Sequence, residues 1–188
     1  YDIFLVDAES GDIVYSVFKE LDFGTSLISG PVADTNFGEA FRKANKLTDP
    51  NDFVLVDFAQ YMPSYEAPAS FIASPVFDGE KRLGVAMFQM PLDAITATMG
   101  QRAGLGDTGE TMLLGPDYLP RSDSFRDTEH RSVVNAFRNA TEGRIATTAT
   151  KAVFEKGESG VEIETDYIGN ESITAYAPIE ILGLNWAL

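Results

Sequence analysis

Ser70-Phe71-Ile72-Ala73-Ser74-Pro75-Val76-Phe77-Asp78-Gly79-Glu80-Lys81-Arg82-Leu83-Gly84-Val85-Ala86-Met87-Phe88-Gln89-Met90 reads as two strands joined by a tight turn. Ser70–Phe77 and Arg82–Met90 carry the aliphatic and aromatic residues of half-buried strands, and Asp78-Gly79-Glu80-Lys81 supplies turn chemistry between them. Upstream, Phe53–Phe58 is a third strand candidate, set off by the breaker Asp49-Pro50-Asn51-Asp52. Earlier still, Ile3 to Val6 and Ile13–Phe18 flank Glu9-Ser10-Gly11-Asp12 and predict a hairpin. Between that hairpin and Phe53 lies a short helix. Asn36 is its expected cap, Glu39 follows three residues on, and Phe37, Ala40, Phe41 and Ala44 fall on one face.

Downstream, Pro91 opens a further helix on which Leu92, Ile95 and Met99 share a face, and Gly100 ends it. The order of elements then begins again. Thr111–Leu114 reads as a strand, Gly115-Pro116-Asp117 as a turn, and Leu119–Ser124 as a second strand. A helix carrying Val133, Val134, Phe137 and Ala140 follows. Strands are expected near Ala152–Lys156, Gly160–Asp166 and Ser172–Ile179, with a last run to Leu188. The halves echo each other in residues as well: Leu5-Val6-Asp7 with Leu114-Gly115-Pro116-Asp117, and Ile72-Ala73-Ser74-Pro75-Val76 with Ala175-Tyr176-Ala177-Pro178-Ile179. This pattern predicts an α+β fold of two tandem modules, 1–91 and 92–188. Each is expected to be a roughly five-stranded antiparallel sheet with flanking helices.

Composition removes several functions. The chain has 188 residues, 44% of them hydrophobic and 11% aromatic, enough for a real core. Its 29 acidic and 14 basic residues give a net charge of -15, which opposes binding to a phosphate backbone, and no Lys/Arg cluster relieves it locally. Nucleic acid is therefore not an expected partner. With no cysteine, a thiol nucleophile, a disulfide framework, a cysteine zinc site and an iron–sulfur cluster are excluded. No apolar run approaches the roughly 20 residues of a membrane span, and no signal peptide is present. Both ends lie in strand-like sequence, Tyr1–Val6 and Leu184–Leu188, and the expectation is a piece of a longer protein.

Motifs of chemistry are sparse. Gly104-Leu105-Gly106-Asp107-Thr108-Gly109 matches the dinucleotide pattern, but it follows a helix and precedes a strand, the reverse of what a pyrophosphate site requires. The single histidine, His130, sits beside Glu129 near a helix start and reads as a solvated residue. Asp123, Asp127 and Glu129 match no calcium loop. No nucleophile–base–acid set emerges, so the chain is not expected to be an enzyme, and no cofactor or metal is expected.

One stretch suits a small-ligand pocket. Asp57-Phe58-Ala59-Gln60-Tyr61-Met62-Pro63-Ser64-Tyr65-Glu66-Ala67-Pro68 leaves a strand through tyrosines and rigid prolines, giving apolar walls with a few polar tips. Alternation places Asp57, Ala59 and Tyr61 on one face. Gln89 alternates with Val85 and Met87 and is expected to face the same space. Lys19 is a second polar residue beside apolar strand sequence, a countercharge for a ligand or for Asp57 or Glu20.

Four stretches carry a resemblance: Tyr15-Ser16-Val17-Phe18-Lys19-Glu20-Leu21-Asp22-Phe23-Gly24-Thr25, Phe71 to Asp78, Gly84 to Pro91, and Gly104 to Thr111, with Gly183-Leu184-Asn185-Trp186 near the end. Together they resemble the double Cache (tandem PAS-like) sensor domains of bacterial methyl-accepting chemotaxis proteins. The resemblance implies a long preceding helix, a membrane-distal ligand-binding module at 1–91 and a membrane-proximal module at 92–188. It further implies a periplasmic location, a membrane-anchored parent protein and a homodimer in the full receptor. Amino-acid-binding members carry an aspartate on the last distal strand, and the matching position here is Gln89. A neutral amide supplies no countercharge to an ammonium, so the expected ligand is a small carboxylate such as pyruvate, lactate or acetate. Lys19 would then be the countercharge, Tyr61 and Tyr65 hydroxyl donors and walls, Gln89 an amide donor and Phe71 apolar packing. Asp57, if it faced the pocket, would restore amine binding. The rival readings are a sensor on a histidine kinase or diguanylate cyclase, and a module binding a periplasmic protein.

Overall fold

A computed structural model describes residues 2–65 and 67–188. The chain divides between Pro91 and Leu92 into two compact units.

In the first unit, β1 (Ile3–Asp7), β2 (Ile13–Ser16), β3 (Val54–Gln60), β4 (Pro68–Asp78) and β5 (Lys81–Gln89) form one antiparallel sheet in the order β2-β1-β5-β4-β3. The β4–β5 connection is a two-residue turn. Gly79 sits in it at φ +59°, a left-handed conformation that glycine adopts without steric cost. Pairing of Phe4 and Ala73 with Met87, and of Val6 and Pro75 with Val85, stacks the inward side chains in rows. Pro75 is tolerated in β4 because β3 reaches only as far as Ala73, so the missing donor faces an open edge.

Helix α1 (Asn36–Ala44) lies on this face with Phe37, Ala40, Phe41 and Ala44 buried. Phe37 is the centre of an aromatic cluster, its ring 4.5 Å from Phe71, 4.6 Å from Phe4 and 5.7 Å from Tyr61. Burial of each such side chain contributes roughly 1.5–3 kcal/mol. Asn36 is not the cap that the sequence suggests. Thr35 occupies the cap position, and its hydroxyl donates back to the Val32 carbonyl. Asn36 is the first helical residue, and its Nδ2 donates to the carbonyls of Asp57 (2.9 Å) and Ala69 (2.7 Å), which ties α1 to β3 and β4.

The second unit contains α2 (Leu92–Met99), α3 (Thr128–Arg131), α4 (Val133–Arg138), α5 (Ala140–Gly143) and α6 (Thr148–Lys156). Its strands are β6 (Gly160–Thr165), β7 (Glu171–Tyr176), β8 (Pro178–Ile181) and β9 (Leu184–Ala187). The five-stranded sheet expected here does not form among the described residues. Two two-stranded ladders, β6–β7 and β8–β9, stand in its place, with Leu114 bridging to Ala187. Two local causes account for the difference. Ala152–Lys156, read as a strand, is the C-terminal half of α6. The Thr147 hydroxyl accepts from the Thr150 N–H at its start, and Gly157 at φ +70° closes its end. Leu119–Ser124 makes only the Leu114–Pro120 bridge, because the chain there wraps the buried Arg121 guanidinium, which donates to the Leu119 carbonyl and pairs with Asp117. A small core of Leu114, Ile145, Val153 and Ala187 holds the unit. No helix among the described residues is long and apolar enough to cross a membrane.

Candidate ligand site

The inner face of the first sheet runs out at Tyr61, Phe71 and Gln89, and there two loops meet it. Residues 17–24 leave β2, and the segment that begins at Tyr61 leaves β3. Two side-chain hydrogen bonds clasp the loops together: Tyr61 Oη donates to Asp22 Oδ2 at 2.5 Å, and Ser64 Oγ donates to Glu20 Oε2 at 3.2 Å. Asp2 anchors the first loop from below. Its Oδ1 accepts from the N–H groups of Ile3 (2.8 Å), Val17 (2.8 Å) and Phe18 (3.3 Å), and its Oδ2 accepts from Ser16 Oγ at 2.9 Å. Asp2 and Asp22 are both fully buried. Burial pushes the Asp22 and Glu20 carboxyls above the usual carboxylate range, and the charge of Asp2 adds to both shifts. Burial first, then the bond to Asp22, pushes the Tyr61 hydroxyl far up, so it remains a neutral donor.

The residues singled out from sequence separate into three groups. Tyr61, Phe71 and Gln89 come together: Tyr61 packs edge-on against Phe71 at 5.2 Å, and Phe71 pairs with the half-buried Gln89 across β4–β5. Tyr61 and Phe71 are core residues, 1% and 0% exposed, rather than walls of an open hollow. Lys19 and Tyr65 point elsewhere. Lys19 is exposed, its Nζ 5.7 Å above the Phe23 ring, and Tyr65 is 86% exposed. A carboxylate held by Lys19 finds no support in this geometry. Asp57 departs from the expected alternation because a β-bulge falls between Val56 and Ala59, which leaves those two residues on the same face. Asp57 is half-buried; its Oδ1 accepts from the Phe58 N–H, and its carbonyl accepts from Asn36.

Sequence reasoning missed Asp2, Glu20 and Asp22. Their signal was a set of acids inside apolar sequence, Tyr1-Asp2-Ile3 and Glu20-Leu21-Asp22-Phe23, which a solvated turn does not need.

Many polar side chains of the second unit pair within it. Glu110 accepts from the Tyr167 and Ser124 hydroxyls, and Arg126 pairs with Asp166 at 2.7 Å. Arg102 donates to the carbonyls of Gly106, Asp107 and Gly109, so the glycine-rich loop turns its acceptors inward, unlike a phosphate cradle. Asp127 receives His130 and Arg131, and Asp123 receives the Val133 N–H. Glu129, His130, Asn135, Arg138, Asn139 and Glu142 border an open hollow of about 300 Å³.

No protein-family model matches the chain, and no curated protein does. Solved structures do. The ligand-binding domain of the Pseudomonas aeruginosa chemoreceptor PctC, in complex with GABA, superposes with a TM-score of 0.60 at 15% identity, over 99% of this chain and 71% of that one. That of the Pseudomonas fluorescens chemoreceptor CtaA with L-serine gives 0.58 at 15% identity, over 99% and 69%. The extracellular domain of the histidine kinase candidate vpHK1S-Z8 gives 0.56 at 12% identity, over 99% and 65%. The chain shares its fold with these domains. At these identities the likeness concerns the fold alone.

Proposed function

We propose that this chain is the extracytoplasmic sensor region of a membrane-anchored bacterial receptor, of the chemoreceptor kind, which binds a small molecule in its first unit and passes a conformational bias onward. The observation that carries this reading is the match of nearly the whole chain to sensor domains whose solved complexes hold small amino compounds. The first unit is the membrane-distal module and the second the membrane-proximal one, as in the double Cache arrangement. The ligand site lies at the clasped loops over the end of the first sheet, beside the half-buried Gln89, with Tyr61 and Phe71 as the packed floor beneath it. Binding acts by population shift: a ligand favours one arrangement of the two loops only by the difference in its affinity for the two. A histidine kinase output is the second reading, favoured by the match to the vpHK1S-Z8 extracellular domain.

A thermal-shift panel of amino acids, aliphatic amines and small carboxylates tests the sensor reading. A ligand at 100 times its dissociation constant adds about 2.7 kcal/mol of stability. Stabilisation by any one class, weakened by Gln89→Ala, supports it. Silence across the panel, with capture of a periplasmic protein instead, refutes it.

A further inference from the structure

The loop clasp holds more negative charge than any described group beside it balances. Asp22 is fully buried, and among the described residues its Oδ1 makes no well-formed hydrogen bond, with only the backbone N–H groups of Asp22 and Phe23 near the carboxyl besides the Tyr61 hydroxyl. A buried acceptor left bare costs roughly 1–3 kcal/mol, more when charged. Asp2 is fully buried too, but four donors saturate it. Glu20 receives, among the described residues, only the Ser64 hydroxyl. Among the described residues no ion pair joins Asp2, Glu20 or Asp22 to a lysine or arginine. Lys19, the nearest cation in sequence, is exposed over Phe23. Asp22 Oδ1 is therefore, among the described residues, an acceptor with no cation facing it.

Two features narrow the class. A ligand carboxylate at this clasp would meet Asp2, Glu20 and Asp22 with no guanidinium or ammonium to receive it. The same two loops expose Phe18, Leu21, Phe23, Met62 and Tyr65 to water, an apolar and aromatic surround suited to an alkyl chain ending in a cation. We propose that Asp22 Oδ1 anchors the ammonium group of an aliphatic amine that bears no carboxylate, with Glu20 as its second acceptor. This rests on the sensor reading and departs from the amino acids held by the structural neighbours.

Titration calorimetry at pH 7 with butylamine, 4-aminobutyrate and butyrate, three compounds sharing one carbon chain, tests it. Butylamine is expected to bind at least ~10-fold more tightly than 4-aminobutyrate, and butyrate not at all. Asp22→Asn is expected to weaken butylamine by ~10-fold or more, and Glu20→Gln, at a partly exposed position, by ~3-fold or more, with both variants checked for fold by circular dichroism. Equal binding of butylamine and 4-aminobutyrate overturns the exclusion of a carboxylate. Binding of 4-aminobutyrate or butyrate with butylamine silent overturns the proposal and leaves the sensor reading standing. Butylamine binding untouched by both substitutions overturns it as well. Silence from all three compounds overturns it, and the wider panel then decides the sensor reading separately.

Discussion

Phe71→Ala distinguishes a packed keystone from a pocket wall. Phe71 is fully buried and touches three other rings: Phe37 at 4.5 Å, Tyr61 at 5.2 Å and Phe4 at 6.4 Å. Truncation at such a site loses the transfer energy of the ring and leaves a cavity that strand β4 and helix α1, joined by the Asn36–Ala69 bond, close only in part. The expected loss is ~3–5 kcal/mol, in the range for buried Phe→Ala changes. With a urea slope of about 2 kcal/mol/M, the midpoint falls by roughly 2 M at unchanged slope. Far-UV circular dichroism in urea reads it directly. A Phe71 that bordered an empty hollow would have no partners on one side, and its truncation would cost under about 1 kcal/mol. A midpoint shift below about 0.5 M would therefore refute the packing argument and restore Phe71 as a ligand-facing wall.

Three further outcomes are expected. Asn36→Ala strips two carbonyls of their donor and should cost ~2 kcal/mol in the same urea assay, whereas Thr35→Ala, at a cap position whose side chain caps nothing, should stay within about 0.5 kcal/mol. Gly115→Ala places a Cβ 2.0 Å from Arg121 Nη2, and this guanidinium is 2% exposed. The overpacking should cost ~1–3 kcal/mol and red-shift the emission of Trp186, the only tryptophan, whose neighbour Ala187 bridges to Leu114. Asp22 and Glu20 have folded pKa values raised above their unfolded ones. Their contribution is thus fully present below about pH 4 and is lost as pH rises through the raised values. Stability of the unaltered chain relative to Asp22→Asn should fall as pH rises above the ordinary carboxylate range; a flat or rising difference would contradict the buried-acid account. Asp127 and Asp166, held low against their own burial by hydrogen bonds from His130 and from the Asn170 backbone, act oppositely and lose their contribution below about pH 4.

How legible the sequence was depended on how strictly each segment alternates. In β4 and β5 the inward residues Phe71, Ala73, Val85 and Met87 recur at every second position, and the sheet they build follows from that period. β3 begins with the same regularity, but the bulge at Asp57 and Phe58 consumes one residue and shifts the face of everything before it. No composition rule marks that residue in advance, so simple alternation puts Asp57 in the wrong row. In the second unit, Ala152-Val153-Phe154 is too short a run for its period to separate strand from helix, and the capping residues Thr147 and Gly157 decide. β6 and β7 invert the usual reading outright. Val161, Ile163 and Ile173 face outward, while Glu164 faces α6 and accepts from the Ala149 N–H. Of the candidate site, the aromatic part was legible because Tyr61 and Phe71 sit in strand sequence. The acidic part was not, because Asp2, Glu20 and Asp22 draw their meaning from burial and from each other across the fold.

The clasp also sets how such a sensor could respond. The bonds Tyr61–Asp22 and Ser64–Glu20 each involve an acid and are worth roughly 1.5–3 kcal/mol if the acid is ionised, nearer 1 kcal/mol if it is protonated. Opening both therefore costs about 2–6 kcal/mol and leaves the open arrangement a minor state, from a few per cent downward. A ligand that needs the open loops to reach the buried Asp22 Oδ1 loses that fraction in apparent affinity. It recovers the loss only by contacts made in one arrangement and not the other. Swinging the equilibrium from 1:99 to 99:1 takes about 5.5 kcal/mol of such preference. One ammonium–carboxylate bond, at roughly 1.5–3 kcal/mol, falls short of that alone. Burial of an alkyl chain against Phe18, Leu21 or Phe23, at about 0.8 kcal/mol per CH₂, supplies the rest within about three to five carbons. The charge would select the ligand class, and the apolar rim would determine how long the chain must be to close the clasp.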